Sequence, residues 1–357
     1  MSIQVYSGGL MTLGQVFDPR RNALNAWRLA LATTVILWHS WPLTGHRLPF
    51  PAYEGLLAQV GVDGFFALSG FLITASWMRN PNLRDYFIAR ALRIFPGLWV
   101  CLAITAFVIA PVSVAIQGGS AAGLMGSLKP VEYFLNNAVL NVFYAGIDGT
   151  PRDIPWPGIW NGSIWTLIFE FVCYIAVAIL GVLGMLARRW VIPAAFVFFL
   201  CAAAYLSYPV FAMETIPQMV ARFALMFAAG ALVYQYRDVL PARWSLVMIC
   251  VGVLTLSGLT SNYRVIGALP LAYVVITSGA LIHDRRLTLR NDLSYGVYIY
   301  AFPIQQLMAV AGLADLKPFV FFLLAAAVTL PLAALSWFVV EKHAMSLKTR
   351  FRRAPVP

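Results

Sequence analysis

Ten apolar runs, each about as long as a membrane span, follow one another along the 357-residue chain and constrain its fold more than any other feature. A transmembrane helix needs ~20 predominantly apolar residues, and charged residues, prolines or glycines bound each run. The pattern predicts an all-α integral membrane protein with about ten transmembrane helices. The runs fall near 27–44, 60–78, 94–114, 163–186, 190–207, 218–235, 243–259, 264–282, 293–312 and 318–341.

The composition excludes other classes of protein. Hydrophobic residues make up 61% of the chain and charged residues only 11%, whereas a soluble domain is about half apolar and a quarter charged. Soluble globular, disordered and fibrous folds are therefore excluded. The 4 cysteines all lie in apolar runs without a Cys-x-x-Cys spacing, which is typical of small buried side chains rather than of a disulfide or metal site.

The basic residues are distributed unevenly between the two sides of the predicted membrane domain. With the N-terminus in the cytoplasm, inner segments carry 18 of the 25 basic residues, and outer loops hold only Arg47, Lys129, Arg152, Arg264 and Lys317. This asymmetry follows the positive-inside rule and places both termini in the cytoplasm. It also accounts for the net charge of +11 without nucleic-acid binding. We therefore expect a cytoplasmic segment (1–26), a ten-span membrane domain (27–341) and a basic cytoplasmic tail (342–357).

Two further helices are expected outside the spans. Residues 131–146 have a helical period but carry several polar side chains, which predicts an outer interfacial or re-entrant helix. Residues 79–96 combine arginines with apolar positions, which predicts an amphipathic helix on the inner membrane surface.

The first span carries two ionisable side chains, Arg28 and His39. Their spacing of eleven residues, at ~100° per residue, places both on one face of a helix and separates them by ~16 Å along its axis. Ionisable groups inside spans mark functional sites. The alternative is a buried structural histidine, with Arg28 extending to the inner surface.

Polar groups from other spans are expected at the depth of His39. Asp63, Glu170, Arg222 and the pair Gln305–Gln306 all fall in the outer halves of their spans. A carboxylate beside an imidazole fixes its tautomer and raises its basicity. Two alternatives stay open: Asp63 as the N-cap of its helix, and Glu170 with Arg222 as a structural ion pair.

Arginines gather instead at the inner mouth of the predicted bundle. Arg28, Arg90 and Arg93 lie close to the cytoplasmic ends of their segments. Guanidinium groups suit phosphate because they form bidentate, charge-assisted hydrogen bonds. The sequence thus predicts an anion site inside and a histidine-centred site outside, joined by one helix face.

Five motifs occur in order along the chain: the Arg28…His39 pair, GVDGFFALSGFLI at 61–73, RALRIFP at 90–96, NGSIWTLIFEFVCY at 161–174 and LSYGVYIYAFPIQQ at 293–306. Together they resemble the acyltransferase-3 family of membrane O-acyltransferases, especially the bacterial group that acetylates exopolysaccharides and O-antigens. The resemblance implies transfer of an acyl group, usually acetyl, from cytoplasmic acyl-CoA to a glycan or glycolipid hydroxyl at the outer face of the inner membrane. It implies acetyl-CoA or another acyl-CoA as donor and no metal.

The resemblance also assigns roles. The essential histidine of the family corresponds to His39, its first arginine to Arg28, its paired arginines to Arg90 and Arg93, its Ser-Gly to Ser69–Gly70 and its acid to Glu170. The chain departs from the family pattern at Thr166 and Ile168, where many members have serines, and at Ala301, where many have histidine.

These observations give a hypothesis for the mechanism. His39 acts as general base on the acceptor hydroxyl, with Asp63 or Glu170 orienting it; an acyl-enzyme on His39 or Ser69 is the alternative. The residues expected to bind the donor are Arg28, Arg90, Arg93 and Ser69. Those expected to bind the acceptor are Asn161, Trp165, Arg222, Gln305 and Gln306.

A transporter or flippase without acyl transfer is the alternative function, since intramembrane charges also line transport pathways. The sequence leaves open the acceptor, the length of the acyl group and the oligomeric state.

Overall fold

The regular elements of the structure, a computed structural model that describes residues 11–141, 144–206 and 214–348, are all helices. Within these ranges ten helices have 14 residues or more: α1 Leu24–Leu43, α2 Glu54–Arg79, α3 Leu83–Ile104, α4 Thr166–Val182, α5 Val191–Tyr205, α6 Ile216–Gln235, α7 Trp244–Ser257, α8 Arg264–Leu281, α9 Ser294–Val310 and α10 Pro318–Ser336. Two of them continue through π-helical turns, α3 through Thr105–Ile109 and α10 through Trp337–Glu341.

Five helical stretches of the described residues are long and apolar enough to cross a membrane: Pro51–Arg79, Leu83–Ile116, Ile216–Gln235, Arg264–Leu281 and Pro318–Ser346. The prediction of an all-α membrane protein is therefore confirmed. The number of ten spans and the sides of the two termini stay predictions.

The boundaries of three elements differ from those predicted. Helix α2 begins at Glu54, so Asp63 lies in its interior, and the N-cap interpretation of Asp63 is wrong. Of the segment 79–96, Arg79 ends α2 and residues 83–96 form the first turns of α3 rather than a separate surface helix, because Asn82 caps the start of α3 and the helix continues through Pro96. The helix predicted at 131–146 spans Lys129–Ala138; residues 142 and 143 lie outside the described part.

The chain divides into two compact units. The described parts of the first unit are residues 11–27, 63–75, 183–206 and 214–290. Those of the second unit are residues 28–62, 76–141, 144–182 and 291–348.

A close helix crossing forms the core of the first unit. A Cβ atom built on Gly70 of α2 would lie 1.9 Å from the carbonyl oxygen of Phe227, and one built on Gly230 of α6 would lie 1.8 Å from that of Ala67. Small residues permit such backbone approach between helices in a membrane. Ser69, beside Gly70, is buried in the same stretch.

Helix α9 forms the core of the second unit. It is buried along nearly its whole length and packs against α10 and α3. At Gly296, an added Cβ would lie 3.0 Å from the backbone of Ala333 in α10. Because α9 is held this closely, the polar side chains on its C-terminal half have fixed positions.

The glycine crossing gives the first prediction. Gly230→Ala places a methyl group against the backbone of Ala67. Because backbone cannot move aside as the end of a flexible side chain can, we expect the free energy of unfolding to fall by about 1–3 kcal/mol or more. The matched control is Gly252→Ala in α7, whose added Cβ meets nothing within 4 Å. Thermal unfolding of both variants in detergent measures the difference, and equal midpoints would contradict the close crossing.

Candidate active site

His39 lies on the same unbroken helix as Arg28. Because α1 runs from Leu24 to Leu43, the eleven residues between the two positions give a rise of ~16 Å along one face. The single helix that the sequence predicted between an inner anion site and an outer histidine site is therefore present. Whether those two sites bind donor and acceptor stays a prediction.

An aromatic pocket surrounds the imidazole. The ring of Phe302 in α9 meets the half-buried His39 edge-on, with 4.9 Å between centroids. Trp156, from the segment between the Lys129–Ala138 helix and α4, lies 6.1 Å from the imidazole and 5.6 Å from Phe302. The two rings restrict the orientation of the imidazole by packing.

The Nδ1 atom of His39 is buried and has no hydrogen-bond partner among the described residues. A buried ring nitrogen without a partner is costly, and a hydroxyl or water brought to it would remove that cost. The predicted orientation of His39 by a carboxylate, Asp63 or Glu170, stays a prediction.

Gln305 connects α9 to the turn of α1 that bears the imidazole. Its Nε2 donates to the carbonyl of Ile36 and to Oγ of Ser40, each at 3.0 Å. These two residues precede and follow His39 on α1. Gln305 is thus a positioning residue for His39, and its predicted contact with the acceptor stays a prediction.

Gln306 holds the segment that carries Trp156. Its Nε2 donates to the carbonyls of Trp156 at 2.8 Å and Ile159 at 2.6 Å. The Oε1 atoms of Gln306 and of Gln305 are buried without a partner among the described residues. Each amide therefore fixes part of the pocket through its N–H groups and keeps an unused acceptor.

Asn161 also contacts α9 and is buried. Its Nδ2 donates to the carbonyl of Ile299 at 2.8 Å, and its Oδ1 accepts the backbone N–H of Ser163 at 3.1 Å. These bonds cap the segment that leads into α4. The structure gives Asn161 a positioning role, and its predicted acceptor contact stays a prediction.

Trp165 and Glu170 lie at the start of α4. The half-buried Trp165 meets Phe169 edge-on at 6.0 Å. Oε1 of Glu170 accepts the hydroxyl of Tyr174 at 2.5 Å, one turn further along the helix. Both predicted roles, acceptor binding for Trp165 and orientation of His39 for Glu170, stay predictions.

The arginine end of α1 is organised by a carboxylate that the sequence analysis missed. Oδ2 of Asp292 accepts from Arg28 Nη1 and from Arg93 Nη2, each at 2.6 Å, while its Oδ1 accepts from the backbone N–H and the hydroxyl of Ser294. Arg93 also lies 3.6 Å from Oε2 of Glu341. Asp292 directly precedes the motif LSYGVYIYAFPIQQ at 293–306. Its position beside that motif was the signal available in the sequence.

The pKa of Asp292 reflects this arrangement. Burial raises the pKa of the carboxyl, but Arg93 and Arg28 outweigh burial and hold the pKa well below its usual range. The carboxylate is therefore charged at any pH at which an enzyme is assayed. Arg28 and Arg93 are ion-paired by the protein itself.

Arg90 has different surroundings from the other two arginines. Its Nη1 donates to the carbonyl of Tyr86 at 3.0 Å, and its guanidinium lies 3.8 Å from the centroid of the Tyr86 ring. Of the three arginines, Arg28 and Arg93 take part in ion pairs between described residues, whereas Arg90 takes part in none of these pairs.

In the first unit, a buried charge network surrounds Asp63. Its Oδ1 accepts from Arg222 Nε at 2.8 Å, and its Oδ2 accepts from Arg264 Nε at 2.5 Å and from the hydroxyl of Tyr263. Arg222 also pairs with Glu214 at 2.8 Å. Two carboxylates thus balance two guanidiniums. Sequence reasoning missed three members of this network, Glu214, Tyr263 and Arg264, because their pairing depends on helix packing. The predicted roles of Asp63 and Arg222 stay predictions.

Metal ligands were not predicted. Among the described residues, no three His, Cys, Asp or Glu side chains come together in a way that could hold a metal ion.

Comparison with known proteins gives consistent findings. A profile of the acyltransferase-3 family, described as an acyltransferase domain, matches residues 21–338. An "O-acetyl transferase" of Shigella phage Sf6 is 27% identical over 91% of this chain and 96% of its own length. "Nodulation protein 10" of Rhizobium leguminosarum bv. viciae is 24% identical over 92% of this chain and 94% of its own. No solved structure matches.

The shared carboxylate gives the second prediction. Asp292→Asn leaves two guanidiniums without their shared ion-pair partner, so we expect the free energy of unfolding to fall by at most about 3–5 kcal/mol. The decrease should be smaller than this limit because Arg28 and Arg93 are partly exposed and solvent screens their charge. A lowered carboxyl pKa contributes stability that is fully present above the ordinary pKa of the group and is lost progressively as the pH falls from there to the lowered value. The loss should therefore be constant between about pH 5 and 8.

The control is Asp315→Asn, which removes an exposed carboxylate that takes part in no ion pair of the described residues. Thermal unfolding in detergent at several pH values measures both variants. An Asp292→Asn midpoint equal to that of the control would show that the shared pair does not stabilise the fold.

Proposed function

Because the chain belongs to the acyltransferase-3 family and is an O-acyltransferase, we propose that it transfers an acetyl group from cytoplasmic acetyl-CoA to a hydroxyl of a glycan or glycolipid at the outer face of the cytoplasmic membrane. The name of the phage relative supports acetyl as the group transferred. The observation that carries the proposal is the unbroken helix α1, with Arg28 near its start and His39 eleven residues further on.

We propose a topology that makes this transfer possible. The ten long helices form ten spans of the inner membrane, with both termini in the cytoplasm. The distribution of basic residues supports this topology. It gives Arg28 the cytoplasmic end of α1 and His39 the outer half of the membrane.

His39 serves as the general base in the proposed reaction. The acceptor hydroxyl donates its proton to the imidazole as its oxygen attacks the thioester carbonyl carbon. The carbon–sulfur bond then breaks, and the CoA thiolate takes the proton back from the imidazolium to leave as a thiol. General base catalysis of this kind contributes ~10²–10⁴-fold.

The surroundings of His39 support this role. A general base must present its ring nitrogen in one orientation, and the rings of Phe302 and Trp156 restrict the orientation of the imidazole by packing. Gln305 fixes the turn of α1 on both sides of the imidazole. The base is thus held in place before the substrate arrives, which reduces the entropic cost of the reaction.

The donor enters from the arginine end of α1. Arg28, Arg90 and Arg93 attract the nucleotide phosphates of acyl-CoA, and the pantetheine arm has roughly the reach needed to span the ~16 Å to His39. Asn161, Trp165, Gln305 and Gln306 lie in the same unit as His39 and are proposed to meet the acceptor. Trp156 adds an aromatic wall on which a sugar ring can stack.

The third prediction tests the base. His39→Gln keeps a polar side chain of similar size but removes the group that accepts the proton, so acetyl transfer should fall by about 10²–10⁴-fold. The measurement is the release of CoA thiol from acetyl-CoA by membranes containing the variant at wild-type expression, together with mass spectrometry of cell-envelope glycans for a loss of 42 Da per acetyl group.

His283→Gln is the matched control, because His283 is exposed in a loop and its Nδ1 lies 2.9 Å from the carbonyl oxygen of Leu281. It should retain wild-type transfer. Full transfer by His39→Gln would exclude the imidazole as base. If the wild-type protein released no CoA in the presence of envelope glycans, acyl transfer itself would be excluded and transport would become the better interpretation.

A further inference from the structure

Helix α9 contains a proline, Pro303, directly after Phe302, whose ring meets His39. Proline has no backbone N–H, so the carbonyl four residues earlier, that of Ile299, lacks its helical hydrogen bond. Ile299 is buried, and a buried carbonyl without a donor is costly. We propose that Asn161 replaces the missing bond and thereby positions His39 through α9.

The first argument is the donor that the carbonyl of Ile299 has instead of a helical N–H. Nδ2 of Asn161 donates to this carbonyl at 2.8 Å, and the thiol of Cys101 in α3 donates to it at 3.3 Å. A thiol is only a weak donor, so the amide is the main replacement. Asn161 is itself buried, and its Oδ1 accepts the backbone N–H of Ser163, which fixes the direction of the amide.

The second argument is the residue that follows Asn161. A Cβ atom built on Gly162 would lie 2.6 Å from the ring of Phe302, so this ring packs directly against the backbone of Gly162. Ile299 and Phe302 lie three residues apart, on one face of α9. Residues 161 and 162 thus hold α9 at the carbonyl before the proline and at the ring that meets His39 at 4.9 Å.

The third argument is the place of the missing bond along α9. The part of the helix after Pro303 carries Gln305, whose amide bonds to α1 on both sides of His39. A proline inside a helix permits bending at the missing bond. The direction of this part therefore depends on what holds the carbonyl of Ile299, and Asn161 is a positioning residue for the imidazole.

This role differs from the acceptor contact proposed for Asn161. One N–H group of its Nδ2 is used by Ile299, and the same Nδ2 donates to Sγ of Cys101 at 3.8 Å. A contact with the acceptor would therefore have to use Oδ1. The inference rests on the proposed function for the role of His39 as base, whereas the hydrogen bond to Ile299 does not depend on it.

The experiment exchanges one hydrogen-bond donor for another in the purified full-length protein. Asn161→Leu keeps the size of the side chain but removes the donor. The kcat for CoA release from acetyl-CoA with envelope glycans should then fall about 10- to 100-fold, since a small displacement of a reacting group has effects of this size. Pro303→Ala returns a backbone N–H to the carbonyl of Ile299, so the double variant should regain about five- to tenfold in kcat over Asn161→Leu.

Pro270→Ala is the matched control, because Pro270 also lies inside a helix, α8 of the first unit. It improves helix propensity in the same way, but its new N–H faces the carbonyl of Ile266 in its own helix. Combined with Asn161→Leu, it should give no recovery of kcat. Equal recovery from both proline substitutions, or none from Pro303→Ala, would overturn the proposal.

A second readout separates positioning from a loss of folded protein. A partly unfolded sample keeps the wild-type solvent isotope effect on kcat, because only folded molecules turn over. A displaced imidazole slows proton transfer relative to the other steps, so the isotope effect of Asn161→Leu should rise and return towards the wild-type value in the double variant. An unchanged isotope effect in Asn161→Leu would contradict the positioning role.

Asn161→Ser is the milder variant if Asn161→Leu yields no folded protein. Its hydroxyl can accept the N–H of Ser163 but is too short to donate to Ile299. It should show the same fall in kcat, the same rise in the isotope effect and the same recovery with Pro303→Ala. Wild-type kcat in Asn161→Ser would overturn the proposal.

Failure of the proposed function gives a different result. If the wild-type protein released no CoA, acyl transfer and the positioning of a base would both be contradicted. Thermal unfolding in detergent would then test the bond alone: Asn161→Leu should lower the midpoint, and Pro303→Ala should reduce this difference. If instead the wild-type protein released CoA and the midpoints and kcat values showed no coupling between residues 161 and 303, the proposed function would stand and this inference would be overturned.

Discussion

The carboxylate of Asp292 is the interaction on which the arrangement of the second unit depends. It accepts one arginine from α1 and one from α3, and its second oxygen accepts the hydroxyl and N–H at the start of α9. Three helices thus meet at one group. In a chain with only 11% charged residues, a buried carboxylate is retained only where several cations or donors compensate for its desolvation.

Helices α1 and α9 are also joined at their other ends, where the hydrogen bonds are between neutral groups. Gln305 connects α9 to the turn of α1 that bears His39. Helices α1 and α9 are therefore connected at two levels, by charges near the arginines and by an amide beside the imidazole. Because both connections use α9, the distance between the arginine end of α1 and the imidazole of His39 is set by two helices rather than by loops.

Much of this structure could be predicted from local patterns. The apolar runs predicted the helices because burial in lipid requires long apolar segments, and the spacing of Arg28 and His39 predicted a shared face because helical geometry is regular. The interior position of Asp63 was missed because the glycines around it resemble a helix start. Asp292, Glu341 and Arg264 were missed because their partners lie far away in sequence, and helix packing order is not encoded locally.

The π-helical turn at Trp337–Glu341 has a consequence for how this chain tolerates changes in length. In a regular α-helix, residues five apart point about 140° away from each other, yet the hydroxyl of Ser336 and the carboxylate of Glu341 are hydrogen-bonded at 3.0 Å. The wider turn accommodates one additional residue and brings both side chains to the same side. Removing a single residue from this stretch would restore ordinary winding and rotate Glu341 away from Arg93, so the stretch is sensitive to deletion.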